Sequence, residues 1–287
     1  MIIINKRNLF FLISVWLLST LLSAQNVTIS TPHTQLLLSV PNGGTPEQLY
    51  YGSRTSDADI RSICETARRR NAYPVYGMGY PCETALSARH ADGNLTLQMA
   101  VIGVKETRLT KENATLTVIE LKDKVYPFFV NICYKAWQDA DVIETWTEIR
   151  HEEKKPVILS KYASSMLHLN SSKYFLTEFS GDWAHEANVT ERELAFGKKV
   201  IDTKLGARAN MFVSPFFQLA LDNPSQENAG EVLVGTIGWT GNFRFTFEVD
   251  NKNELRIISG INPYDSEYSL PAKEVFRTPD FYFTYST

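Results

Sequence analysis

Alternation of apolar and polar residues with a period of two recurs along most of the chain. In "FRFTFEVD", Phe243, Phe245, Phe247 and Val249 fall on one side and Arg244, Thr246, Glu248 and Asp250 on the other, as in a strand with one buried and one wetter face. In "NLTLQMAV", Leu95, Leu97, Met99 and Val101 are expected to share a face in the same way. The runs "ATLTVIEL", "YPFFVNICYKAW", "DVIETWTEI", "PVILSKYASSMLHL", "SPFFQLAL" and "EVLVGTIGW" are rich in β-branched and aromatic residues and add further strands. Turn signals such as "ADGN" at 91–94, "DNPS" at 222–225 and "GINP" at 260–263 separate them. Many short antiparallel strands joined by turns predict an all-β fold, a large two-sheet β-sandwich.

One segment reads as a helix. "SDADIRSICETARRR", Ser56 to Arg70, opens with a Ser cap and acids in its first turn, and places Arg68, Arg69 and Arg70 where cations suit the helix dipole. These arginines are expected to form a solvated charge run, because no aromatic platform interleaves them.

The first residues follow a different pattern. Lys6 and Arg7 precede the apolar run "LFFLISVWLLSTLL", and "LSAQ" offers small residues for cleavage after Ala24, so residues 1–24 read as a signal peptide and 25–287 as the mature domain. The run is short for a membrane span and no Cys follows it to take a lipid, which predicts a secreted or periplasmic protein without stable membrane insertion. No linker or repeat divides the rest.

A net charge of -3 with 21% charged residues gives no electrostatic case for nucleic acid. Export permits disulfides, but Cys64, Cys82 and Cys133 are an odd number; either Cys64 pairs with Cys82 or all three remain thiols, most of them buried. The five Asn-x-Ser/Thr triplets, beginning at Asn26, Asn94, Asn113, Asn170 and Asn188, carry weight only in a glycosylating secretory route.

Catalytic signatures are mostly missing. There is no phosphate loop and no "GxSxG" elbow, and His151 and His185 precede a Glu without the second His of a zinc motif, so neither metal nor cofactor is expected. The richest stretch is "SGDWAHE", Ser180–Glu186. Gly181 permits a tight turn that presents Trp183 at a rim for stacking on a sugar, with Asp182 and Glu186 as acceptors for hydroxyls or an arginine; the alternative is an indole that plugs the core beside acids that cap the turn. Trp239 is expected in the core or at a domain interface, Trp137 and Trp146 in the core, and His90 with Asp92 in a solvated turn.

Several stretches together resemble one family. "YPVYGMGY" with "ETALSARHADGN", then "SGDWAHE", "GTIGWTGNFRF", "GINPYDSEYSL" and "EVFRTPDFYFTYS" are similar, in the same order, to landmarks of the N-terminal domain of glycoside hydrolase family 36, the α-galactosidases. The resemblance implies a galactose-mutarotase-like β-supersandwich followed by a β/α barrel, whose two aspartates hydrolyse terminal α-galactosides with retention. The family's nucleophile lies in a Lys-Trp-Asp motif that this sequence lacks, so no catalytic residue is expected here and the chain alone is expected to be inactive. By the same resemblance Trp183 is the substrate-binding residue, reaching over the barrel mouth to the galactose. Where many members carry an aspartate and an arginine offered across their oligomers, this chain has Gly79, Tyr80, Pro81 and Cys82, which leaves any homo-oligomer open. The expected partners are an α-galactoside and a catalytic barrel, in cis or in trans; a stand-alone carbohydrate-binding sandwich is the alternative.

Overall fold

The computed structural model describes residues 25–208 and 211–287; the leader expected over residues 1–24 lies outside them. Three antiparallel sheets make up the domain. The largest has ten strands. Its main path runs Asn188–Glu193, Tyr174–Ser180, Val213–Leu221, Glu231–Ile237, Phe281–Ser286, Val142–His151, Phe128–Trp137, Ala114–Asp123 and Met99–Leu109, and Val275–Arg277 pairs beside Val142–His151. The second has six strands, in the order Gly197–Asp202, Phe243–Val249, Glu254–Ile261, Val157–Asn170 and Tyr268–Leu270, with Leu86–Arg89 also on Val157–Asn170.

These two sheets face each other through the residues that the alternation marked. Phe243, Phe245, Phe247 and Val249 are all buried. The Phe217 ring from the large sheet meets Phe245 and Phe247 at centroid distances of 5.2 and 4.9 Å, both edge-on, the geometry that the ring quadrupoles favour. Each such phenylalanine contributes about 1.5–3 kcal/mol by leaving water. Gly235 makes the packing possible, because a Cβ there would sit 2.5 Å from the Phe217 ring and 2.8 Å from that of Phe281.

A third sheet was not expected. Gln25–Ser30, Thr34–Val40, Glu47–Ser53 and Arg70–Asn71 form four strands that extend the same core, with Tyr51 edge-on to Phe283 at 5.1 Å. Gln48 stitches this sheet to the six-stranded one by donating to the His168 carbonyl (2.7 Å) and accepting from the His168 amide (3.0 Å).

Five local expectations are corrected. The helix runs only from Asp57 to Thr66, capped by Ser56 in a reciprocal pairing with Asp59, and no basic residue lies in its last turn. Arg68–Arg70 emerge extended and turn back onto carboxylates: Arg68 and Arg70 both bind Glu254, at 2.7 and 3.0 Å, and Arg69 binds Glu47 at 3.2 Å. Leu97, Met99 and Val101 are buried together but Leu95 is exposed, because Asn94 folds its side chain back onto the Thr96 amide and the strand begins only at Met99. Trp146 is buried as expected and Trp137 is half-buried, but neither joins the inter-sheet core. They lie on the outer face of the large sheet, where their indole N–H groups donate to Glu144 and Glu148, because the inward positions alternate with theirs at Ala136, Thr145 and Thr147. Finally, His90 is not in a solvated turn. Asp92 is exposed, yet His90 is buried, 2.7 Å from Glu153 and stacked on Tyr126 at 3.7 Å.

Candidate functional site

Loops from both main sheets gather at one end of the sandwich. The turn 181–187 follows Tyr174–Ser180, residues 203–208 leave the small sheet, residues 211–212 lead into Val213–Leu221 of the large one, residues 238–242 cross back, and residues 262–267 follow Glu254–Ile261. Backbone and amide groups lace these loops together. The Gly181 amide donates to Phe212 O (3.0 Å), the Gly206 amide to Asn242 Oδ1 (2.7 Å), and the Asn262 side chain to Thr203 O (2.9 Å).

Within the turn 181–187 the acids serve the backbone. Asp182 Oδ1 accepts from the Trp183 amide at 2.7 Å and Glu186 Oε1 from the Ala184 amide at 3.2 Å, while the Asp182 carbonyl accepts from the His185 amide at 2.9 Å. Ala184 and Ala187 hold φ of 61° and 55°, a region that costs a non-glycine residue about 1 kcal/mol or more. Gly181 is needed for a different reason: a Cβ there would meet His185 O at 2.6 Å and Glu186 Cα at 2.8 Å.

The product of this construction is an indole in water. Trp183 is 86% exposed, so it does not plug the core, and the bland reading of an internal filler is overturned. Beside it opens a hollow of 350 Å³. Phe179, Phe216, Met211 and Phe212 line it together with Gly181 and Glu186 of the same turn. Sequence reasoning missed Met211 and Phe212, because residues 203–212 carry no strand period and the tie to Gly181 is a backbone bond that no side chain announces. Trp239 also leaves the core, being 41% exposed at the loop 238–242. With Leu205 and Tyr264 these residues form an apolar rim, and Lys204 rests 5.1 Å over the Tyr264 ring.

The chemistry such a rim offers is stacking and exclusion of water, not proton transfer. Among the described residues no three His, Cys, Asp or Glu side chains gather as a metal site requires.

Residues 44–271 match the glycosyl hydrolase family 36 N-terminal domain. The chain belongs to this family. It is 24% identical over 282 residues to α-galactosidase Mel36A of Lactobacillus acidophilus, with 87% of this chain matched to 38% of that enzyme. It is 30% identical over 172 residues to α-galactosidase 2 of Pediococcus pentosaceus, covering 60% of this chain and 24% of the relative. Among solved structures, an α-galactosidase of Lactobacillus brevis superposes with a TM-score of 0.83 at 22% identity, over 92% of this chain and 40% of the other. An AgaA variant of Geobacillus stearothermophilus in complex with raffinose superposes with a TM-score of 0.84 at 21% identity, over 91% and 40%. The chain spans about 40% of the length of the two solved enzymes, and by its family match it corresponds to the N-terminal, non-catalytic domain.

Proposed function

We propose that this domain forms part of the active-site mouth of an exported α-galactosidase, in which Trp183 closes over a terminal α-galactosyl unit held by a catalytic barrel supplied in cis or in trans. The observation that carries the reading is the exposure of Trp183 on a turn built to hold it out. A flat apolar ring braced in water stacks on the C–H face of a pyranose at little entropic cost, since the turn is ordered beforehand. The rim of Leu205, Met211, Phe212, Trp239 and Tyr264 supports docking against a further domain, because apolar residues clustered at one end of a monomer mark an interaction surface. Family membership supports hydrolysis as the reaction of the complete enzyme, and the basic and apolar run of residues 1–24 supports export.

Isothermal titration of the purified chain with galactose and raffinose, beside turnover of a nitrophenyl α-galactoside, tests this. The expected result is no turnover, with any sugar binding abolished by Trp183→Ala; in a complex with a barrel, the same substitution lowers kcat/KM by about tenfold or more. Turnover by the chain alone would overturn the non-catalytic assignment. Sugar binding that survives Trp183→Ala would remove the indole from the site and favour a lectin-like surface elsewhere on the sandwich.

A further inference from the structure

One cation beside the rim has no carboxylate of its own. Arg244 is the second residue of Phe243–Val249, directly after the loop 238–242, and alternation with the buried Phe243 and Phe245 puts its side chain on the outer face of the six-stranded sheet. Its Nε is buried without a hydrogen-bond partner. Among the described residues no carboxylate oxygen lies within 4.0 Å of its guanidinium, and the other lysines and arginines of which this is true are exposed, whereas Arg244 is half-buried.

The acids that register and packing bring near are committed elsewhere. Asp202 faces Arg244 across the strand pair, yet its carboxylate accepts from Lys204 Nζ at 2.8 and 3.0 Å and from the Asn262 amide at 3.3 Å. Glu83 stands in the wall of the slot that Arg244 lines, and its two oxygens go to Lys161 at 3.0 Å and to Lys198 at 2.9 Å. Lys161 is thereby balanced, and Arg244 is the charge left over. A buried guanidinium nitrogen without an acceptor is costly, so an acceptor supplied from outside the chain relieves it.

The space beside Arg244 is kept open and small. Gly260 pairs with Arg244 on one side and with Ala163 on the other, and a Cβ on it would sit 3.2 Å from Ala163 Cα, so no side chain fills the floor. Tyr162, Ile258 and Pro263 add apolar walls around a volume of 30 Å³, room for about one or two water-sized groups. A carboxylate head is of that size and a sugar ring is not. The slot adjoins the rim, because Pro263 precedes the exposed Tyr264, and the Asn262 amide donates to Asn242 O at 3.0 Å, at the end of the loop that carries Trp239.

We propose that Arg244 is the ion-pair anchor of the rim and receives an aspartate or glutamate side chain from the protein domain that docks there. The inference rests on the docking reading above and adds the chemistry of the contact. An acceptor small enough for the slot comes as the end group of a side chain on a larger body, and the apolar residues Leu205, Trp239 and Tyr264 beside it are the kind that shield such a pair from water once covered.

Two measurements separate this contact from docking itself. In the isolated chain the buried Nε–H of Arg244 gives a slowly exchanging proton–nitrogen NMR signal, assigned by its loss in Arg244→Lys. Sodium acetate, at pH 7 and with ionic strength held constant by chloride, is expected to shift it saturably with a midpoint below about 100 mM, whereas acetamide, of the same shape without the charge, leaves it in place. No saturable shift, or an equal shift with acetamide, overturns the proposal, and this titration needs no variant to fold. In the complex with a catalytic barrel, Arg244→Gln, checked for folding by circular dichroism, is expected to weaken association by about tenfold and to flatten its dependence on salt, since one ion pair is lost. Association that Arg244→Gln leaves unchanged in strength and salt dependence overturns the anchor and spares the docking reading. Acetate binding by a native chain that does not associate with the barrel overturns the docking reading, and with it the assignment of the carboxylate to a docked domain.

Discussion

The Gly181 amide donates to the Phe212 carbonyl at 3.0 Å, so one backbone bond joins the turn that carries Trp183 to the wall of the hollow beside it. Through this bond the orientation of the indole depends on a segment about thirty residues further along the chain. A change at Gly181 therefore acts on the rim as well as on the turn.

Gly181→Ala is expected to destabilise the domain by about 1–3 kcal/mol, the usual range for overpacking. Its added methyl would meet backbone atoms, His185 O at 2.6 Å and Glu186 Cα at 2.8 Å, which cannot rotate away. Urea unfolding measures the loss, and the Trp183 emission spectrum should shift as the turn rearranges. An unchanged midpoint and spectrum would mean that the turn is looser than its contacts indicate.

Ala184 and Ala187 predict the opposite pair of effects. With φ of 61° and 55° both pay for a left-handed backbone, and glycine removes that cost. Ala184→Gly and Ala187→Gly are expected to leave the thermal midpoint unchanged or slightly raised. The sugar binding proposed for Trp183 should weaken severalfold, because a freer turn must be ordered on binding. If stability falls in both variants, the strain is not where the dihedral angles put it.

The cysteines give a direct check on the folded chain. Cys64, Cys82 and Cys133 are all free; Cys64 and Cys82 are half-buried, whereas Cys133 is buried and its thiol is pushed up to about 12 by that burial. A thiol reagent at pH 8 should modify Cys64 and Cys82 in the folded protein and reach Cys133 only after denaturation. Finding a single reactive thiol in unfolded, unreduced protein would establish a Cys64–Cys82 disulfide instead.

The sequence pattern was most legible where side chains alternate. Phe243 to Val249 lie as their period requires, and Trp183 stands out because glycine, tryptophan and acids rarely share so short a turn. What escaped was long-range pairing. Nothing local to Gln25–Asn71 announces a third sheet, since its fourth strand is two residues long and is held by pairing with Glu47 and Gln48. Trp137 and Trp146 were misplaced because a strand in a wide sheet has two semi-buried faces, and an indole satisfied by a carboxylate sits on either. His90 was misread because its partner, Glu153, is distant in sequence. The Arg68–Arg70 run looked solvated for the same reason: Glu254 lies on a strand that only the fold brings beneath it.

His168 ties the fold to acidity with a definite sign. It is buried, its Nε2 donates to the Asn71 carbonyl at 2.8 Å, and Arg70 and Arg256 add to burial in lowering its pKa to about 4. Unfolded, a histidine titrates near the ordinary value of about 6.5. Between these two values the unfolded chain binds a proton that the native one refuses, so stability is full above about pH 6.5 and falls as the pH drops towards 4. The loss reaches about 3 kcal/mol when complete. Carboxylates with lowered values, such as Asp250 and Glu83, add their losses at lower pH, because each must be protonated below the ordinary carboxylate range. Urea midpoints measured at pH 7, 6, 5 and 4.5 should therefore fall more steeply for the native chain than for His168→Gln, whose amide keeps a donor for Asn71 but takes up no proton. Parallel curves would show that His168 takes up its proton as readily in the folded state as in the unfolded one.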